Sequence, residues 1–251
     1  MKNVRLIARL DVKGSNLIKG IHLEGLRVVG DPHHFSNYYY ESGIDEIIYM
    51  DAVASLYGRN GLTEIVQHVS QNLFIPITVG GGVRSLEDAS ALFMSGADKI
   101  ALNTAAISNP KLVEDIANRF GNQAVVVSIE AKKITNSKWE AYVDNGREKT
   151  GLDVMEWAQT AQDLGAGEIL LTSVDQEGTQ KGFDLELITN VSQRVNIPVI
   201  ASGGFGNLED FVQCVNIGNA DAVAVAHSLH YKKTTVQDIK SFARVNKINV
   251  R

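Results

Sequence analysis

Eight short apolar runs recur along the chain, each followed by a longer stretch with helical spacing. They are VRLIARLD (4–11), DEIIYMD (45–51), IPITVGG (75–81), KIALN (99–103), AVVVSIE (124–130), EILLTS (168–173), IPVIAS (197–202) and AVAVA (222–226). Their apolar character is nearly continuous instead of alternating, which marks strands covered on both faces. The stretches between them are amphipathic. SLEDASALFMSG (85–96) sets a serine ahead of acids in its first turn and a glycine after its last. Eight β-then-α units in 251 residues are the count and length of a (β/α)8 TIM barrel. A doubly wound sheet competes, but it ordinarily has fewer strands and one nucleotide loop. The expectation is an α/β barrel spanning 1–251 as one domain.

An internal repeat strengthens that expectation. IPITVGGGVRSLED begins at 75 and IPVIASGGFGNLED at 197, an offset of 122 residues. The same offset carries GIDEII (from 43) onto GAGEIL (from 165), and so Glu46 onto Glu168 and Asp51 onto Ser173. ARLDVK aligns with VSIEAK at an offset of 119, a difference that one change of loop length produces. The chain thus reads as two similar half-barrels, approximately 1–122 and 123–251. Asp11 and Glu130 then end strands one and five, on opposite sides of the barrel mouth.

Composition removes several classes of function. With 44% apolar residues and 4 prolines, the chain is neither disordered nor fibrous. A net charge of −5 disfavours nucleic acid and membrane surfaces, both of them polyanions. Cys214 is the single cysteine, so there is no disulfide framework, and a reducing compartment fits. The start MKNVRLIARLDV lacks the apolar core and cleavage site of a signal peptide. No apolar run approaches the roughly 18–20 residues of a bilayer span. The expected setting is cytoplasmic.

Two glycine clusters, GGGV (80–83) and SGGF (202–205), each end a strand and precede a helical stretch. Such turns let backbone N–H groups approach a phosphate, although a lone glycine turn serves tight bends equally well. The next strand ends in Asn103 and Thr104 in one half and in Ala226 and His227 in the other. Two clusters at matched positions imply two anion sites across one mouth, suited to a substrate with a phosphate at each end. A strand-end acid is ordinarily a solvated cap. Here Asp11 and Glu130 face each other between the anion sites, which points to general acid/base work. Lys13 and Lys132, two residues beyond each acid, either share its side, if the strands continue, or are ordinary surface lysines. Arg5, Glu46, Lys99 and Glu168 begin strands one, two, four and six, where alternating sign forms either an ordinary rim network or a paired ring that plugs a central opening. The loops at 13–30 and 131–151 are long enough for lids. Lys19 is the notable side chain of the first, and an Asn-Gly pair in the second suggests a small hairpin over the mouth.

These features together resemble the HisF cyclase subunit family of imidazole glycerol-phosphate synthase, over essentially the whole chain. The residues that carry the likeness are LDVK with Asp11, KG with Lys19, LRVVGDP, TVGGGVRSLEDA, GADKIALNTAA, GAGEILLTS and IASGG. The resemblance implies a heterodimer with a separate, HisH-like glutaminase subunit, whose ammonia passes through the barrel axis. At the mouth it reacts with a bisphosphorylated aminoimidazole carboxamide ribulotide, giving imidazole glycerol phosphate and an aminoimidazole carboxamide ribotide. Neither a metal nor a redox cofactor is implied. Arg5, Glu46, Lys99 and Glu168 match the family's ammonia gate, and Asp98 matches a residue at the glutaminase interface. Asp11 matches the catalytic acid/base, and Lys19 a loop lysine that holds substrate. Gly82, Asn103 and Thr104 match one phosphate site; Gly178, Gly204 and Ala226 match the other.

Four positions depart from the family pattern. Glu130 stands for the second catalytic aspartate, His227 for a common serine, and Glu177 for another aspartate. Arg9 puts a cation on the face of strand one that carries Asp11. One extra methylene moves an acid by about an ångström, a misplacement that can cost roughly 10² in rate. IARLDVKG, KGIHLEGLR and YMDAVASLYGRNG are similar to a HisF-like branch associated with sugar amidation in surface polysaccharides. The alternatives to a cyclase are therefore such an ammonia-delivering paralogue, or a non-catalytic ammonia conduit that activates its glutaminase.

Overall fold

The computed structural model describes residues 2–54 and 62–251. Its strands, in chain order, are β1 (Arg5–Lys13), β2 (Asn16–Ile21), β3 (Glu24–Gly30), β4 (Glu46–Asp51), β5 (Ile77–Gly80), β6 (Lys99–Leu102), β7 (Val125–Thr135), β8 (Lys138–Val143), β9 (Glu148–Asp153), β10 (Glu168–Ser173), β11 (Val199–Ser202) and β12 (Ala222–Val225). The strands β1, β4, β5, β6, β7, β10, β11 and β12 are joined side by side in that order. Parallel pairing of β12 with β1, from Arg5 opposite Ala222 to Ala8 opposite Val225, closes the ring. With helices between successive strands, the result is the expected (β/α)8 barrel, and each of the eight apolar runs overlaps one of its strands. No helix among the described residues is long and apolar enough to cross a membrane.

Two strands begin two residues into their apolar runs. Ile75–Pro76 and Ile197–Pro198 precede β5 and β11, because proline has no N–H for the ladder. Each proline still contributes its carbonyl: Pro76 accepts from Ile47 N–H at 3.1 Å and Pro198 from Ile169 N–H at 2.9 Å. Helix starts follow local chemistry. Ser85 and Asp88 form a reciprocal capping box on helix Leu86–Met94, and Asn207 and Asp210 form another on helix Leu208–Asn216.

Alternation along closed strands sends every second side chain inward. Outward residues such as Leu6, Ala8, Leu10, Ile47 and Tyr49 pack under the helices in the larger apolar cluster. Inward residues form a smaller one: Ile7, Ile48, Ala101, Val126, Leu170, Ile200, Ala222 and Ala224, with Met50 against it. Beyond the barrel rim, β1 and β7 continue into hairpins. Asp11 lies opposite Met50 of β4 and also opposite Ile18 of the antiparallel β2. Glu130 likewise lies opposite Thr172 of β10 and Tyr142 of the antiparallel β8. Both candidate acids thus sit where a strand leaves the barrel for a hairpin.

At the other end, three aspartates pin neighbouring strands together. Asp45, Asp98 and Asp221 accept from the N–H groups of Leu6 (2.7 Å), Ile77 (2.8 Å) and Val199 (2.9 Å). Asp45 is buried and also receives Lys240 Nζ at 2.6 Å. Replacing Asp45 by alanine orphans a buried N–H and strips the counter-charge from the mostly buried Lys240 ammonium, which keeps only the carbonyls of Gly43 and Arg251, and is expected to cost about 3–5 kcal/mol. The exposed Asp98→Ala loses one hydrogen bond, about 1 kcal/mol. Urea unfolding of the two variants measures the contrast; equal losses would count against it.

Candidate functional site

The four charged residues that begin β1, β4, β6 and β10 meet inside the barrel floor. Arg5 Nη1 lies 2.9 Å from Glu46 Oε1 and 3.0 Å from Glu168 Oε1. Lys99 Nζ lies 3.2 Å from Glu46 Oε2 and 3.0 Å from Glu168 Oε1. Each carboxylate touches both cations, so the four form a ring of alternating sign and not a set of separate rim pairs. Two residues further along each strand come Ile7, Ile48, Ala101 and Leu170 of the inner apolar layer.

Above that layer, Arg9 is buried within the barrel. Its Nε donates to Asp11 Oδ1 at 2.9 Å, and its Nη1 donates to the hydroxyls of Thr172 (2.8 Å) and Ser202 (3.1 Å). A buried guanidinium is stable only with compensating charge and acceptors, and β1, β10 and β11 supply both. Burial works to raise the Asp11 carboxyl, but Arg9 and Lys19 outweigh it and hold the acid below the usual carboxylate range. Lys19 Nζ, reaching in from β2, is 3.7 Å from Asp11 Oδ2.

Glu130 has the opposite balance. Burial pushes its carboxyl up to about 7; Arg9 and the Gly146 N–H pull it back, and the negative Asp11 adds to the rise. Gly146 N–H donates to Glu130 Oε2 at 2.7 Å from the turn between β8 and β9. That turn contains the Asn-Gly pair, with Asp144, Asn145 and Gly146 all at positive φ. It docks on the rim through Asp144 N–H to Thr104 Oγ1 (3.2 Å) and Asn103 Nδ2 to Tyr142 O (3.2 Å). The two buried carboxyls are thus tuned apart, Asp11 lowered and Glu130 raised, which is the pattern from which separate acid and base roles can arise.

The two glycine turns differ. Gly81, Gly82, Asn103 and Thr104 line an open cavity of about 240 Å³, which reaches Glu130 and Arg9. Gly81 has φ +101°, and a Cβ there would come within 2.5 Å of Asp51 O, so only glycine fits. The other turn, with Gly178, Gly204, Ala226 and His227, lines a space of only about 20 Å³. Burial first, then Lys233 and Lys19, lowers the His227 imidazole, which is neutral at pH 7. The two glycine turns at matched positions thus differ in free space: one borders an open cavity and the other is nearly filled.

Other expectations divide in the same way. The 131–151 loop is a hairpin at the mouth, as anticipated, and the 13–30 loop is also a hairpin, β2–β3. Lys13 and Lys132 are exposed and do not join the site. Lys132 lies over the Tyr142 ring at 5.3 Å, because β1 and β7 leave the barrel just beyond their acids. Asp98 sits on the floor side, pinning Ile77. Residues 55–61 of the YMDAVASLYGRNG stretch lie outside the described residues. Sequence reasoning missed the Gly146 donor, Asn145 and Asp51 in the cavity wall, and the neutral His230 that bonds Tyr39 at 2.6 Å. Of these, only the Asn-Gly turn carried a signal.

The chain is similar to known proteins over most of its length. The family model described as histidine biosynthesis protein matches residues 5–235. Imidazole glycerol phosphate synthase subunit HisF of Legionella pneumophila is 66% identical over 211 residues, covering 84% of this chain and 100% of that protein. The subunit of the same name from Lachnoclostridium phytofermentans is 46% identical over 252 residues, covering 100% of this chain and 98% of that one.

The Glu130 environment has a measurable signature. An acid whose folded pKa is raised binds its proton more tightly in the fold, so its contribution to stability is lost as pH climbs from 4.5 to about 7. Asp11 acts in the opposite sense, losing its contribution as pH falls below 3.8. Glu130→Gln is expected to remove the decline between pH 4.5 and about 7 in urea-unfolding free energy. An unchanged slope would show that Glu130 does not titrate there.

Proposed function

The chain belongs to the histidine biosynthesis protein family as a HisF-type cyclase subunit, and on that premise we propose how it acts. It receives ammonia from a glutaminase partner beneath the barrel. At the mouth it converts a bisphosphorylated aminoimidazole carboxamide ribulotide to imidazole glycerol phosphate and an aminoimidazole carboxamide ribotide. The observation that carries the proposal is the opposite tuning of Asp11 and Glu130, two buried acids above one axis. The Arg5–Glu46–Lys99–Glu168 ring is the gate through which ammonia enters, and the exposed Asp98 lies on the face offered to the partner.

In this reading the Gly82, Asn103 and Thr104 cradle holds one phosphate, and the Gly178, Gly204, Ala226 and His227 side faces the other. Ionised Asp11 takes a proton from the nitrogen of the adding ammonia. Glu130, carrying its proton for part of the time near neutral pH, gives one to the departing nitrogen when the C–N bond breaks. The two roles reverse to reset the pair as the ring closes. A positioned acid or base contributes about 10²–10⁴-fold each.

A second reading draws on the nearly filled cradle and on Arg9 inside the barrel. In it the subunit hands ammonia to a separate sugar-amidating protein of surface-polysaccharide synthesis. Turnover of the ribulotide with ammonium salts alone separates the two. The cyclase reading expects turnover, reduced about 10²–10⁴-fold by Asp11→Asn. Absence of turnover, together with stimulation of the glutaminase, would replace it with an ammonia conduit.

A further inference from the structure

The second cradle is small because a side chain of this protein already lies in it. Glu177 follows β10 and is buried, and its carboxylate is paired with Lys19 Nζ. Its other oxygen lies 3.2 Å from where a Cβ on Gly203 would stand, so the carboxylate rests against the glycine turn itself. It lines the space of about 20 Å³ together with Gly203, Gly204 and His227. That volume admits about one water, well short of a phosphate.

The backbone around Glu177 keeps it there. Glu177 O accepts from His22 N–H at 2.8 Å, and His22 Nδ1 lies 2.9 Å from Val174 O. Gly178, at φ +74°, lies so close to the β2–β3 hairpin that a Cβ would approach Gly20 O to 2.5 Å. The hairpin that delivers Lys19 therefore also clasps the loop that delivers Glu177. Lys19, the cation aimed at this cradle, is shared between Glu177 and Asp11, and the neutral His227 adds no charge.

We propose that Glu177 is an internal anion occupying the second cradle, and that a substrate's second phosphate binds only by displacing it from Lys19. The inference rests on the reading of the Gly203–Gly204 turn as an anion cradle. Glu177 thereby sets how strongly the site prefers a ligand with phosphates at both ends over one with a single phosphate. An arriving phosphate meets a like charge and a cation already neutralised, and the open Gly81–Gly82 cradle supplies most of the anchoring. Removing the carboxylate charge frees Lys19 for the incoming group.

The test is calorimetric titration of the full chain with ribulose 5-phosphate and with ribulose 1,5-bisphosphate. Wild-type protein is expected to bind the two with similar affinity. Glu177→Gln is expected to tighten the bisphosphate by about tenfold or more while leaving the monophosphate nearly unchanged, as removal of a nearby like charge requires. Glu177→Asp, which draws the carboxylate back by one methylene, is expected to fall between them, and carries the test alone if the glutamine variant unfolds on heating below the wild type. Binding of both probes with the same ratio in all three proteins overturns the role of Glu177 and leaves the cradles standing. No binding of either probe by any of the three overturns the cradle reading as well.

Discussion

A closed ring of eight parallel strands turns alternate side chains into one narrow space, and any charge there must be compensated within it. The interior follows that constraint from bottom to top. At the floor, two cations and two carboxylates share one another at 2.9–3.2 Å. Above them lies a mainly apolar layer, with the buried hydroxyls of Thr78 and Ser128 level with Ile48 and Leu170. Above that, the Arg9 guanidinium is satisfied by Asp11 and by hydroxyls from β10 and β11. Each charged tier is neutralised sideways, across strands, because the mainly apolar tier between them offers no counter-charge to either.

The Arg9 tier determines how the mouth behaves. Placed beside Asp11 and only near Glu130, one fixed cation treats two similar acids unequally, so burial wins at Glu130 and loses at Asp11. The longer side chain of Glu130 belongs to this arrangement: its carboxylate reaches the Gly146 N–H on the hairpin turn. An aspartate there would hold its carboxyl about one methylene nearer the strand. The second cradle follows the same rule, since Lys19 enters the interior already matched by Glu177 and Asp11.

Much of this was legible in the sequence. Continuous apolar runs identified all eight barrel strands, because both faces of each strand are covered. Alternating sign at four strand starts left a paired ring and an ordinary rim network both open, and the contacts decide for the ring. The repeat placed Asp11 and Glu130 at matching strand ends. What remained hidden depends on contacts between distant segments. Arg9 meets hydroxyls 163 and 193 residues away, and Lys19 meets Glu177 across 158. Periodicity says which way a side chain points, but not which partner a long side chain finds. For the same reason the two glycine turns look alike in sequence and differ more than tenfold in free volume. For Lys13 and Lys132 the sequence left a place at the site and an ordinary surface position both open, because no local signal marks where β1 and β7 stop belonging to the barrel; both are exposed.

The continuity of those two strands has a mechanical consequence. Asp11 and Glu130 are paired on one side to the rigid cylinder and on the other to a protruding ribbon. No pliable joint separates either ribbon from its carboxylate. Any tilt of a ribbon would be levered straight onto the carboxylate at its root, so the entrance to the chamber and the aim of that carboxylate are mechanically one part.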